Sequence, residues 1–415
     1  MVAFKQVTAV NLFRAWGSQS FALLWSGQTL SRIGDFLFEV ALAWWVLQES
    51  GSAGAMAAVL IFSMAPTVLF SLFGGVLVDR YPAVPVMVGS DVVRGVTAVL
   101  ISVLAFSGHL EIAHVYLLSL VFGVVNAFFQ PAFTATVPAL VPEDDLSSAN
   151  SLNSFAIQAG RVLGPPLGAG LLALGGAGLA FAINGLTFFA SALFLLPLLR
   201  TQIRPLPSSP VEEQPGLLAD LQDGLRTVWQ APWLWITVAV FALSNVTLVG
   251  PYSVAMPFLV QDVLHADVHV LSLIYSMFAV GYVLGGVWLG RKPAIRRRGL
   301  LIYGGLVAAG LMLLLFGLPV GLPVLLLAAL INGAVLEMGM LAWTNALQAL
   351  VPRQKLGRVA GVDAVGSFAL LPVGLALTGL ATEAWGAAAV FVVGGGVTAV
   401  VSLLAYHHPA IKNLD

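Results

Sequence analysis

Apolar positions in this chain do not alternate with polar ones; they run together. Long apolar stretches are separated by short polar breaks, and each is near the 20 or so residues that a helix needs to cross a bilayer core. Twelve can be read: residues 21–48, 53–78, 85–107, 112–135, 147–174, 177–199, 233–260, 268–290, 299–318, 321–349, 357–382 and 386–406. A membrane β-barrel would need short segments of alternating polarity instead. Inside lipid only helices and closed barrels satisfy their own backbone hydrogen bonds. The pattern predicts an all-α membrane protein of twelve transmembrane helices.

Composition points the same way. Hydrophobic residues make up 59% of the 415, charged residues only 9%, and mean hydropathy is +0.96. A soluble domain carries about 25% charged residues, so this chain lacks the polar surface to face water all round. A formal net charge of -1 argues against a nucleic-acid partner. Cysteine is absent, which excludes disulfides and thiolate metal sites; no metal is expected. Residues 1–19 hold Lys5 and Arg14 without the apolar core and cleavage site of a secretory leader, and are expected to form a cytoplasmic tail.

The distribution of the 18 Lys and Arg residues tests the topology, since short cytoplasmic loops are enriched in them. With both termini inside, fifteen fall on the cytoplasmic side, among them Arg80, Arg200, Arg226, the run Arg296-Arg297-Arg298, and Lys355. Arg32, Arg94 and Arg161 lie inside proposed helices, and the external loops hold none.

The chain also repeats. Ala139-Leu140-Val141-Pro142 with Leu146 recurs as Ala349-Leu350-Val351-Pro352 with Leu356, an offset of 210 that also carries Gly164 onto Gly374. The run Gly74 to Arg80 recurs as Gly285 to Arg291, an offset of 211. Two matches at nearly one offset imply two parallel halves: an N-terminal six-helix bundle over 1–200, a Pro-rich cytoplasmic linker with a short surface helix over 201–231, and a C-terminal six-helix bundle over 232–415.

Gly75-x-Leu77-Val78-Asp79-Arg80 is similar to the first signature of the major facilitator superfamily, and Gly160-x-x-x-Gly164-Pro165-x-x-Gly168-Ala169 resembles its antiporter signature. Phe21-x-x-Leu24-Trp25-x-Gly27-Gln28-x-x-Ser31-x-x-Gly34-Asp35, with Pro131-Ala132 and Asn150-Ser151-Leu152, resembles the macrolide-efflux and siderophore-exporter branch of drug:proton antiporters. The resemblance covers nearly the whole chain and implies two pseudo-symmetric six-helix bundles. Pro82-Ala83-Val84-Pro85 stands where the first signature ends in a basic pair. Asp79 and Arg80 are gating candidates, Asp79 accepting from the N-terminus of helix 11 near Gly357.

A charge at a helix centre in lipid costs at least about 2.5 kcal/mol unless it is paired or hydrated. Spacings of three and four put Arg32, Asp35 and Glu39 on one face of helix 1, where Arg32 can pair with Asp35. That face must look into a wet chamber. Carboxylates one turn apart repel and favour holding a proton, so Asp35 and Glu39 are the proton-coupling candidates, with Glu337 of helix 10 in second place. Fixed structural pairing is the plainer alternative. Arg161 is a counter-ion or a contact for cargo. Asn126, Gln130, Asn245, Tyr252 and Trp343 are candidate cavity walls, each also explicable as interhelical packing. Asp91 with Arg94, and Arg358 with Asp363, read as gate or scaffold pairs. Gly160, Gly164 and Gly168 form a small-residue stripe beside Pro165.

No phosphate-binding loop or hydrolase motif occurs, so no enzyme is expected. The reading is a proton-coupled efflux carrier of amphipathic small molecules, working by alternating access as a monomer in the inner membrane with the proton gradient in place of a cofactor. A lysophospholipid or lipid flippase, or an uncoupled facilitator, is the alternative, and an integral membrane enzyme the minor one.

Overall fold

Helices follow the apolar runs and continue through internal prolines such as Pro66, Pro131 and Pro165. The computed structural model describes residues 14–200, 217–292, 295–412 and 414. The side chains of 72, 75–80, 217–221 and 353 also lie outside the described residues. The first thirteen residues of the expected tail and the Pro-rich part of the expected linker therefore fall outside, as do the side chains of the gating candidates Asp79 and Arg80.

The helices are α1 (Gln19–Ser50), α2 (Ala53–Arg80), α3 (Ala83–Phe106), α4 (Ile112–Leu140), α5 (Leu146–Leu195), α6 (Leu217–Gln230), α7 (Pro232–Ser244), α8 (Met256–Phe258), α9 (Val268–Gly290), α10 (Arg298–Leu315), α11 (Leu322–Leu350), α12 (Leu356–Phe368), α13 (Leu371–Trp385), α14 (Ala387–Tyr406) and α15 (Pro409–Lys412). No strand occurs among the described residues.

Ten helical stretches among the described residues are long and apolar enough to cross a membrane. One of them, Glu143–Arg200, is 58 residues long, about twice what a bilayer needs. It is broken at Gly175 and Gly176, where Gly176 takes φ 69° and ψ -171°, a conformation that only glycine adopts without strain. That break falls between the predicted spans 147–174 and 177–199. The 32-residue α1 is not among the ten; it carries Arg32, Asp35 and Glu39 in its middle.

Between α7 and the end of its span at Val263, the helix widens into π-helical turns at Asn245–Val249, Pro251–Ala255 and Leu259–Val263. Pro251 and Pro257 lack the N–H that the regular ladder would use.

The chain divides into two compact units, one of Met1–Leu42 with Phe62–Pro210, the other of Ala43–Ile61 with Val211–Asp415. Segment 43–61 joins the second through polar contacts of its own. Glu383 Oε1 accepts from Ser52 Oγ at 2.5 Å and from the Gly54 amide at 2.9 Å, and Gln48 Nε2 donates to Gln261 Oε1 at 2.9 Å.

The sequence repeat has a geometric counterpart in each unit. α4 ends at Leu140, runs extended through Val141 and Pro142, makes a single 3-10 turn at Glu143–Asp145 and starts α5 at Leu146. α11 ends at Leu350, makes the same turn at Arg353–Lys355 and starts α12 at Leu356. Asp145 (φ -100°, ψ -4°) and Lys355 (φ -105°, ψ -8°) share one backbone conformation. Helix crossings repeat as well. A Cβ on Gly74 or Gly123 would strike the backbone oxygen of Ala127 or Ser63, and one on Gly285 or Gly333 would strike that of Ala334 or Phe278. Small residues thus bring α2 against α4, and α9 against α11, at matching positions.

Candidate functional site

The first unit gathers most of the intramembrane charge. The Gly160, Gly164 and Gly168 stripe of α5 lies against Phe36 and Leu37 of α1, so close that a Cβ on Gly164 would be 2.9 Å from the Leu37 amide. Gly34 on the same helix abuts Thr187 and Asn184 in the later part of α5. These contacts fix the rotation of α1 and leave the arc holding Arg32, Asp35 and Glu39 less covered. Glu39 is exposed, and Asp35 and Arg32 are partly so.

Arg32 makes no direct ion pair with Asp35 of the kind its spacing suggested, although the two charges attract through space. Its guanidinium lies over the Phe133 ring of α4, 5.2 Å from the centroid, where cation–π attraction competes with an ion pair. Arg161 sits over Phe36 at 5.8 Å. Asn126 and Gln130 face each other one turn apart on α4, Nε2 to Oδ1 at 3.4 Å.

Asp91 and Arg94 of α3 form an ion pair, and it is buried, at 0% and 7% exposure. Ser191 Oγ donates to Asp91 Oδ2 at 2.7 Å, Gln28 Nε2 donates to Ser191 Oγ at 2.9 Å, and the Arg94 guanidinium lies 4.5 Å from both the Phe129 and Phe188 ring centroids. The sequence reads this pair as a gate or scaffold pair, and the i, i+3 spacing does not reveal Gln28, Ser191 or Phe188 around it. A buried charge must be paired and hydrogen-bonded, but spacing along one helix does not reveal donors on two others.

In the second unit the expected pairing of Arg358 with Asp363 is replaced by two separate arrangements. Five residues along a helix is about 140° around it, so the two side chains leave on different faces. Arg358 Nη1 donates to Asp223 Oδ2 of α6 at 2.8 Å, and Lys355 Nζ donates to Asp223 Oδ1 at 2.8 Å. These two donors hold the Asp223 carboxyl below its ordinary range. Asp363 instead accepts from the Trp343 indole Nε1 at 2.9 Å and from Ser367 Oγ at 3.1 Å. Asn245 Nδ2 extends the chain by donating to the Ser367 carbonyl at 2.8 Å. Trp233 and Phe241 meet the Trp343 ring edge-to-face, with centroids at 5.7 and 5.5 Å.

Tyr252 lies in a π-helical turn, its ring 5.4 Å from Tyr275 and 5.0 Å from Phe278. Glu337 is partly buried on α11, and a Cβ on Gly286 of α9 would come within 3.3 Å of its side chain. Near the start of α10, Ile295, Arg296, Arg297 and Arg298 line an open pocket of about 510 Å³, and Arg298 Nε donates to Asn345 Oδ1 at 2.8 Å. No cluster of metal-ligating side chains occurs among the described residues.

The family model described as Major Facilitator Superfamily matches residues 24–367 and 249–412. The chain belongs to that superfamily. It is 23% identical over 401 residues to a protein named macrolide efflux protein A from Streptococcus pyogenes, covering 95% of this chain and 97% of that one. It is 28% identical over 328 residues to a protein named enterobactin exporter EntS from Citrobacter koseri, covering 75% and 74%. Among solved structures, a bacterial homologue of the iron transporter ferroportin superposes with a TM-score of 0.70 at 18% identity, covering 94% of this chain and 99% of that one. These relatives match the branch that the motifs resemble. As a major facilitator protein the chain is a multi-pass membrane transporter of small molecules, not an enzyme.

Proposed function

We propose that this major facilitator protein exports amphipathic small molecules in exchange for protons, by alternating access, as a monomer in the inner membrane with both termini in the cytoplasm. Twelve spans fit this reading: the ten apolar stretches, with Glu143–Arg200 taken as two spans at its glycine break, and α1. The relatives named for macrolide and enterobactin efflux support the direction and the cargo class.

The observation that carries proton coupling is the open face of α1. Asp35 and Glu39 stand one turn apart on an arc that α5 does not cover, and Glu39 is exposed although it lies mid-helix. An intramembrane carboxylate that is open to water can load and release a proton as the face changes sides. Arg161, held over Phe36 next to the same arc, supplies a fixed positive charge that favours release.

Proteoliposomes with an imposed pH gradient test this. Uptake of an amphipathic dye is expected to follow the gradient in the wild type and to lose that dependence in Asp35→Asn or Glu39→Gln, while dye exchange without a gradient persists. Unchanged gradient-driven uptake in both variants would remove α1 as the coupling site.

A further inference from the structure

Asp363 stands apart from the other intramembrane carboxylates of the described residues. Its ordinary neighbour in sequence, Arg358, is occupied by Asp223 at 2.8 Å. The partners that Asp363 does have are neutral: the Trp343 indole holds Oδ2 and the Ser367 hydroxyl holds Oδ1. Those two hydrogen bonds orient the carboxylate without cancelling its charge. Each oxygen keeps acceptor capacity for a further donor. The residue is partly exposed rather than sealed into the core, so a ligand can reach it.

The frame around it is closely packed. Trp343 is 2% exposed and clamped edge-to-face by Trp233 and Phe241. Ser367 is buried, and its carbonyl is tied to Asn245 beside the π-helical turns that follow α7. An oriented, accessible, unneutralised carboxylate with aromatic and apolar groups behind it has the chemistry to receive an organic cation. A free metal ion would demand more oxygen ligands than one carboxylate supplies, and no such set surrounds it among the described residues.

We propose that Asp363 receives the ammonium-type group of a cationic amphipathic cargo, with Trp343 and Ser367 as its positioning residues. The inference deepens the export reading and rests on it for the nature of the ligand. It concerns recognition of charge, whereas coupling is assigned to α1.

Binding to the purified full-length protein, without any gradient, tests it. The probes are tetraphenylphosphonium, a permanent cation, and triphenylphosphine oxide, a neutral compound of related shape, both followed by calorimetry. The wild type is expected to bind the cation, and Asp363→Asn to bind it about tenfold more weakly or worse, a loss of about 1.4 kcal/mol from removing a partly exposed charge partner. Asp363→Glu is expected to recover most of that affinity, and the neutral probe to bind Asp363→Asn as it binds the wild type. Cation affinity unchanged in Asp363→Asn, no cation binding by the wild type, or equal loss of both probes would overturn the proposal. Binding is read without a gradient, so failure of coupling in Asp35→Asn or Glu39→Gln proteoliposomes and failure of cation recognition in Asp363→Asn are separate outcomes.

Discussion

Asp145 and Lys355 occupy the same turn in the two repeats, 210 residues apart, with the same backbone angles and opposite charges. Each ties down the segment that precedes the first helix of its repeat. Asp145 Oδ1 pairs with Arg14 Nε at 2.7 Å, just ahead of α1, and Lys355 pairs with Asp223 of α6, just ahead of α7. The tether is retained while its polarity is inverted, because the geometry of the turn depends on backbone and proline, and either sign of charge can serve there if its partner changes too.

Reversing the second tether as a unit is therefore expected to be tolerated. Lys355→Asp or Asp223→Lys alone places like charges together and should raise hydrogen exchange through residues 222–230 of α6. The double variant, Asp223→Lys with Lys355→Asp, should restore protection, although Arg358 then faces a like charge and recovery is expected to be incomplete. Exchange measured by mass spectrometry on all three proteins checks this.

The same carboxylate makes the docking of α6 sensitive to acid. Lys355 and Arg358 hold the folded-state titration of Asp223 below its ordinary value of 3.8. A depressed carboxylate contributes stability that is present above its unfolded value and is lost as pH falls through the folded value. Docking is expected to be constant from neutrality down to about pH 4 and to weaken below it. Because the chain has no cysteine, spin labels on Gln222→Cys and Gln354→Cys can report the distance during titration. Undocking near neutral pH would contradict the assignment.

Breaking the buried Asp91–Arg94 pair from one side should cost much more than removing it whole. Asp91→Asn leaves Arg94 between Phe129 and Phe188 without its hydrogen-bonded partner, with only the through-space attraction of Asp35 remaining, and one-sided removal of a buried partner typically costs about 3–5 kcal/mol. Asp91→Asn with Arg94→Met is expected to regain most of the loss, since an unbranched apolar side chain fits the aromatic slot. Thermal unfolding of the single and double variants supplies the cycle.

At the α9–α11 crossing, Gly281→Ala is expected to be strongly destabilising, because its Cβ would strike the Leu330 backbone oxygen. Overpacking of this kind costs roughly 1–3 kcal/mol. Gly396→Ala is the control: nothing lies within 4 Å of its Cβ, and its melting temperature should stay at the wild-type value. A Gly281→Ala protein as stable as that control would show that the helices can separate without penalty.

Much of the architecture is written locally. Apolar run length, the glycine break at 175–176, the turn at Pro142 and its copy at Pro352 all act on the backbone within a few residues, so each can be read in order along the chain. The small-residue positions could be read too, since glycine in an apolar helix has few roles other than close approach. Charge partners are of another kind. Whether Arg32 meets Asp35 or a phenylalanine, whether Arg358 meets Asp363 or Asp223, and which donors surround Asp91 depend on how helices far apart in sequence are rotated against each other. Spacing along one helix supplies the candidates, but hydrogen bonds and contact ion pairs form only within about 3–4 Å, and only the packed arrangement sets those distances.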